Sequence, residues 1–225
     1  MSTTTFTLAH FHALDVPRFD IGVLRADDKM IRQLNWTLAK VEHALRWMQL
    51  QNLEGAQVFV RPSLAHVSTI LVDDIPTPRV RALDLVPAAI VETSPGNSQC
   101  WMRLTHAVSI AHAHALQERW DGDPGSADGP HFGRLAGFTN RWPKHRRPNG
   151  TFPLVRLMAT SQTAYPPEAI CVCEPPARRA RGIPRRGVRG IACSPASRRI
   201  LERPQISWRP PSDQFSVGHR CSGSI

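Results

Sequence analysis

Two carboxylates stand side by side at the end of an apolar run, Thr69-Ile70-Leu71-Val72-Asp73-Asp74. Adjacent acids repel each other, and near neutral pH a cation or a buried arginine must offset that repulsion. Oxygen-only ligands at a strand end suit Mg²⁺ or Mn²⁺, hard ions that prefer carboxylates and phosphates. A metal held there would support phosphoryl transfer. An Asp-Asp pair after a strand is also an ordinary solvated turn, so the surrounding residues have to decide. Adjacent residues on a regular strand point to opposite faces. Asp73 and Asp74 can therefore share one site only if the strand ends or bulges between Val72 and Ile75.

Three further segments could serve such a site. Asp121-Gly122-Asp123-Pro124 supplies another carboxylate, as two-metal chemistry needs about three acids converging from separate elements; it also reads as a plain turn. Glu92-Thr93-Ser94-Pro95-Gly96-Asn97-Ser98-Gln99 is a small, hydroxyl-rich turn between two strands. Ser94, Asn97 and its backbone N–H groups could bind the phosphates or sugar of a nucleotide. The Gly-x4-Gly-Lys-Ser/Thr pattern of a P-loop is absent from the chain. His131-Phe132-Gly133-Arg134-Leu135-Ala136-Gly137-Phe138-Thr139-Asn140-Arg141 combines a histidine, two arginines and two aromatics. Arginine forks bind phosphate oxygens and phenylalanine can stack a base, while a surface loop with core-facing phenylalanines is the competing account. Lys144-His145-Arg146-Arg147 reads as a solvated basic face.

The elements that must position these residues follow from periodicity and turn chemistry. Phe19–Leu24 predicts a first strand, and apolar residues at helical spacing predict a helix from about Thr37 to Leu53 with Gly55 as its stop. Val58–Arg61 and Thr69–Asp73 predict two more strands, and Pro76 and Pro78 keep the next segment short. Ala88–Glu92 and Cys100–Leu104 predict a hairpin around Ser94–Asn97. Residues 106–119 predict a second helix with Ala107, Ile110, Ala111 and Ala115 on one face, and a late strand falls around Leu154–Leu157. The expected class is α+β, a mixed or antiparallel sheet flanked by helices. An N-terminal arm or helix would occupy residues 1–16, the catalytic domain 17–160 and a Pro/Arg-rich tail 161–225.

The net charge of +10 belongs almost wholly to that tail, because residues 178–225 hold 11 arginines against 2 acids. With no apolar period, the tail is expected to be disordered or the product of a shifted reading frame, and it is assigned no catalytic role. No window approaches the ~18 apolar residues of a membrane span. The N-terminus lacks the pattern of a secretory signal, so the expected location is cytoplasmic. The 5 cysteines show no zinc-finger spacing and read as reduced thiols.

Several of these blocks resemble the RepB-type primases of IncQ-like plasmids, in that family's order. They are Arg18-Phe19-Asp20-Ile21-Gly22-Val23, Val58-Phe59-Val60-Arg61-Pro62, Leu71-Val72-Asp73-Asp74, Val91-Glu92-Thr93-Ser94-Pro95, Gln99–Trp101 and the run from Ser126 through Arg141. The resemblance implies an archaeo-eukaryotic primase-like core that synthesises primers on a single-stranded DNA template from nucleoside triphosphates, using Mg²⁺ or Mn²⁺. It implies that Asp73, Asp74 and a third acid at Asp123, with Asp121 and Asp128 as neighbouring alternatives, are the catalytic metal ligands. It places His131 and Arg134 at the nucleotide, alongside Ser94 and Asn97 read from the hairpin turn. A plasmid helicase and origin-binding proteins would be further partners.

The chain departs from that pattern after Asp74, where Ile75-Pro76-Thr77-Pro78 replaces a longer helix, and after Tyr165, where a helical domain is missing. A second reading therefore stays open, in which a truncated or decayed relative binds single-stranded DNA without catalysis. A mobilisation role ranks third, since the single tyrosine, Tyr165, has no histidine cluster beside it.

Overall fold

Two antiparallel sheets share one hydrophobic core in the computed structural model, which describes residues 3–64, 68–127 and 131–170. The elements are α1 (Thr3–Leu14), β1 (Phe19–Leu24), β2 (Met30–Trp36), α2 (Leu38–Leu53), β3 (Gln57–Pro62), β4 (Thr69–Pro76), α3 (Thr77–Val80), β5 (Ala89–Ser94), β6 (Asn97–Arg103), α4 (Ile110–Trp120), β7 (Gly133–Arg134) and β8 (Arg156–Thr160). The first sheet runs β2-β1-β3-β7 and the second β4-β6-β5-β8. Every strand pair in both is antiparallel.

Side-chain alternation explains the layering. Ile21, Val23, Val58 and Val60 of the first sheet bury one face against α1 and α2, and Leu71, Ala89, Val91 and Trp101 of the second join the same core. The intervening residues Ile70, Val72, Ile90, Cys100 and Met102 form a second core with Leu116 and Trp120 of α4. The second sheet is thus covered on both faces, which is why its strands read as continuous apolar runs.

The helix at Leu38–Leu53 opens on Thr37, whose Oγ1 accepts from Lys40 N at 3.3 Å, and ends before Gly55 at φ +101°. Residues 1–16 contribute more than an arm. Phe11 and Leu14 are buried, and Thr7 Oγ1 donates to Ala136 O at 2.8 Å, so α1 lies against the chain just after Arg134. Gly137 makes that approach possible, because a Cβ there would stand 2.5 Å from Thr3 O and from Thr7 Oγ1.

Several expectations are corrected. The strand Met30–Trp36 was not predicted; it is an edge strand whose exposed face holds Met30, Arg32 and Leu34 and whose half-buried face holds Ile31 and Gln33. Apolar and polar residues thus fall on both faces, and the sequence shows no polar alternation. Residues 106–109 are not helical. The helix starts after Ser109, whose backbone N donates to His112 Nδ1 at 3.3 Å. Its buried face is Leu116, Gln117 and Trp120, while Ile110 is 59% exposed; the large side chains at the C-terminal end decide which way the helix faces. The late strand begins at Arg156, and Leu154 makes only a bridge to Thr139. Residues 161–170, grouped above with the tail, pack on the second sheet: Ile170 is buried and Tyr165 OH accepts from Val86 N at 3.0 Å. The Pro/Arg-rich segment from 171 onward lies outside the described residues. No helix among the described residues is long and apolar enough to cross a membrane.

Candidate active site

The strand carrying the acid pair is bulged where side-chain alternation demanded it. Val72 pairs with Cys100 and Ile75 with Ser98, so Asp73 and Asp74 together oppose the single residue Gln99. Asp74 takes φ +58°, a left-handed conformation that aspartate tolerates better than most residues. Asp73 Oδ1 accepts from Asp74 N at 2.9 Å. The turn of the β5–β6 hairpin steadies the second acid, since Asn97 Nδ2 donates to Asp74 Oδ1 at 2.6 Å.

The third acid arrives through backbone contact. Asp123 N donates to Asp73 O at 2.9 Å, which places the end of α4 beside the bulge. Gly122 permits this approach, because a Cβ there would collide with Gln117 Oε1, lie 2.5 Å from Val72 Cγ1 and lie 3.0 Å from Asp73 O. Gln117 braces the junction by donating from Nε2 to Leu71 O at 2.9 Å and to Ser126 Oγ. Asp123 Oδ1 accepts from Gly125 N at 3.0 Å. Asp121 is turned to another task, an ion pair with Arg79, and Asp128 lies outside the described residues.

Arg134 supplies the positive charge. The side-chain amide of Gln99, fully buried, donates from Nε2 to Arg134 O at 2.7 Å and accepts from Arg134 N at 2.9 Å. A single side chain thus reproduces a strand-like pairing between the two sheets. Gly133 allows the contact, since a Cβ there would collide with the Trp101 ring and lie 3.1 Å from both polar atoms of Gln99. The guanidinium lies over Phe59, 5.2 Å from the ring centroid, and Nη1 donates to Gln57 Oε1 at 2.5 Å.

The electrostatics tie these groups into one site. Burial raises the pKa of Asp73, and the nearby charges of Asp74 and Asp123 raise it further, against the lowering effects of the Asp74 N–H and Arg134. Burial lowers Arg134 to about 10, opposed by Asp73 and Asp74, so it remains cationic at neutral pH. His145 also reaches this neighbourhood: burial lowers its pKa, then the charges of Lys144 and Arg134. The basic run 144–147, read from sequence as a solvated face, therefore has one member within electrostatic range of Arg134.

The donor set fits a divalent cation in kind, being oxygen-only, anionic and mutually repelling. As they stand, no three His, Cys, Asp or Glu side chains among the described residues form a group that could hold a metal ion. Each of Asp73, Asp74 and Asp123 accepts an internal hydrogen bond on one carboxylate oxygen, Oδ1, from Asp74 N, Asn97 Nδ2 and Gly125 N respectively.

The structure thus brings together Asp73, Asp74, Asn97, Arg134 and the backbone of Asp123. His131 lines an apolar cleft with Arg61 and Ile110. Ser94 lines a separate polar cleft with Glu92, Arg147 and Arg156. Gln57, Gln117 and His145 were missed as site residues, and a buried glutamine opening a strand (Gln57) or inside a helix (Gln117) carries no local signal that would mark it.

Comparison with known proteins gives concordant matches. The RepB DNA-primase N-terminal domain model matches residues 10–173. Mobilization protein A of Escherichia coli is 37% identical over 153 residues, covering 64% of this chain and 22% of that protein. A DNA primase of Acidithiobacillus ferrooxidans is 31% identical over 134 residues, 55% of this chain and 38% of that protein. The chain therefore spans well under half the length of these curated relatives. A crystal structure of the catalytic domain of primase RepB′ in complex with initiator DNA is 32% identical, with TM-score 0.67, covering 76% of this chain and 92% of that one. The primase-polymerase domain of cyanophage S-2L, 15% identical with TM-score 0.52 over 74% of this chain and 95% of that one, shares the fold.

Proposed function

We propose metal-dependent primer synthesis on single-stranded DNA for this chain, which belongs to the RepB DNA-primase N-terminal domain family. The observation that carries the proposal is the bulge at Asp73-Asp74, with the Arg134 charge in electrostatic reach of both acids and Asp123 N hydrogen-bonded to Asp73 O. Asp73, Asp74 and Asp123 would hold Mg²⁺ or Mn²⁺. Held by these carboxylates, such ions would supply activation of a primer 3′-hydroxyl and charge neutralisation for a leaving pyrophosphate.

The chain's own residues bind and orient. Arg134, immobilised by Gln99, Gln57 and Phe59, offers a fixed cation to the triphosphate where charge develops. Asn97 orients Asp74. The open face of the first sheet carries Phe59 and Phe132, and the Arg61 guanidinium sits 4.3 Å from the Phe132 centroid. Such a surface suits a template held by stacking and backbone contacts. The complex of the RepB′ catalytic domain with initiator DNA supports a DNA partner. Replication of a plasmid or mobile element is the setting the family supports.

The competing reading is a chain that binds single-stranded DNA without catalysis. Incorporation of labelled nucleotide on single-stranded DNA with Mg²⁺ or Mn²⁺ separates the two. Synthesis by the wild type that Asp73→Ala/Asp74→Ala loses is the expected result. No synthesis from folded wild type that still binds the template would establish the competing reading.

A further inference from the structure

Charge is segregated within the catalytic domain. Residues 131–160 hold 6 arginines and lysines and no acid, whereas residues 1–130 hold 11 against 14 acids. Three of the six cations have partners. Arg134 belongs to the candidate active site, Arg141 donates from Nε to Asn52 O at 2.9 Å, and Arg156 pairs with Glu92. Lys144, Arg146 and Arg147 are exposed and make no ion pair among the described residues. Three like charges within four residues repel, and an anionic partner relieves that repulsion.

The loop that carries them is fixed at its base and at its tip. Thr139 bridges Leu154, and Asn140 N donates to Pro153 O at 2.8 Å. At the tip Arg147 N donates to Thr151 O at 2.8 Å, and Asn149 Oδ1 accepts from Thr151 N at 3.1 Å. The Arg141 guanidinium lies 5.5 Å from the Phe152 centroid and ties the two limbs together.

Beside the loop lies a cleft of about 510 Å³, with Arg147, Arg156, Phe152, Leu154 and Pro95 on its walls. Its one acid, Glu92, accepts from Arg156 Nε at 2.9 Å. Leu154 is 39% and Trp142 40% exposed, so apolar and aromatic surface stands among the cations. Single-stranded nucleic acid is held by this combination, in which cations track the phosphates and rings stack the bases. A duplex presents the same phosphates but keeps its base faces stacked inside.

The cleft walls come from the second sheet, the β5–β6 turn and this loop, so the surface is separate from the first-sheet face that carries Phe59 and Phe132. It adjoins the candidate active site at two points. The β5–β6 turn that gives Pro95 to the cleft also supplies Asn97, which holds Asp74. His145, between Lys144 and Arg146, is within electrostatic range of Arg134.

We propose that the 142–156 surface is a second binding surface for single-stranded DNA, in which Lys144, Arg146 and Arg147 hold phosphates while Trp142 and the adjoining cleft receive bases. The identity of the strand rests on the primase reading above.

Fluorescence anisotropy of labelled oligo(dT) with the full chain, across a range of salt concentrations, tests this. Lys144→Ala/Arg146→Ala/Arg147→Ala should weaken binding at least tenfold. It should also flatten the log–log salt dependence by about 2, since each phosphate contact on a single strand contributes about 0.7. Arg178→Ala/Arg179→Ala/Arg181→Ala removes the same charge from the Pro/Arg-rich segment and should weaken binding far less. Trp142→Ala should weaken it several-fold with an unchanged salt slope, because stacking carries no net charge. Both loop variants should keep the wild-type melting temperature. An oligonucleotide carrying 5-iododeoxyuridine should photo-crosslink to Trp142 or Phe152. Equal losses in the two triple variants, crosslinks confined to other residues, or tighter loop-dependent binding of a duplex would each overturn the proposal. A wild type that primes while its crosslinks avoid Trp142 and Phe152 would defeat this surface alone. One that binds the strand here yet never primes would defeat the catalytic reading alone.

Discussion

Gln99 and Arg134 come from different sheets, and the amide of one pairs with both backbone polar groups of the other, at 2.7 and 2.9 Å. Gln99 is also the residue that the Asp73-Asp74 bulge opposes. One buried side chain thus sets where the acids stand relative to the arginine. Two hydrogen bonds made in the interior are worth more than their surface counterparts, because losing the partner strands two desolvated backbone groups.

Gln99→Leu should destabilise the fold by about 1–3 kcal/mol, since it removes that partner while keeping most of the volume. Urea denaturation measures the loss. Primer synthesis should fall further than that of an equally destabilised variant elsewhere in the core, because Arg134 loses its fixed position. Equal losses in the two would mean that Gln99 serves stability alone.

Gly122→Ala would place a methyl against Val72, Gln117 and the backbone of Asp73. Overpacking of this kind costs about 1–3 kcal/mol, and relief requires the Asp123 segment to move away from the bulge. The expected outcome is a lowered melting temperature together with weaker stabilisation by added Mg²⁺. A variant with wild-type response to Mg²⁺ would show that Asp123 is not held by this contact.

Asp73 is burdened by burial and by two neighbouring carboxylates. Asp73→Asn should therefore raise the melting temperature of the protein in EDTA. Addition of Mg²⁺ or Mn²⁺ should stabilise the wild type and leave this variant nearly unchanged. Differential scanning fluorimetry with and without the ions reads both effects, and a variant stabilised as strongly as the wild type would remove Asp73 from the ligand set.

His10 is fully buried, and its burial lowers its pKa from 6.5 to about 3. Its Nδ1 accepts from Ala136 N at 3.3 Å, an interaction the neutral ring supports. A depressed folded-state pKa means that the unfolded chain binds the proton more readily. The associated stability is complete above pH 6.5 and is lost as pH falls toward 3, to the extent of a few kcal/mol on the linkage scale. Denaturation midpoints between these limits should fall steeply for the wild type and more shallowly for His10→Gln, after allowance for the carboxylates both share.

The acid pair and the irregularity beneath it were legible in the sequence. Two adjacent aspartates after an apolar strand cannot face one site on a regular strand, so the bulge follows from backbone geometry alone. The helix from Leu38, the strands at Phe19, Val58 and Thr69, and the hairpin around Gly96 were equally legible, because periodicity, caps and turn residues are properties of neighbours in the chain. Edge strand β2 escaped for the same reason, as its exposed side chains leave no periodic trace. The face of α4 was misassigned because small alanines are compatible with many packings, whereas Leu116 and Trp120 find their partners only across the second core.

What the tertiary structure alone decided is which distant residues serve the acids. Arg134 lies 35 residues from Gln99, and only the meeting of two sheets puts their polar groups within bonding distance. Asp123 reaches Asp73 because Gly122 lets two backbones touch. His131 and Ser94, equally suited by chemistry, are carried to other clefts. Residue type determines what a side chain can do. Its neighbours follow from sheet register and close packing, which no stretch of local sequence encodes.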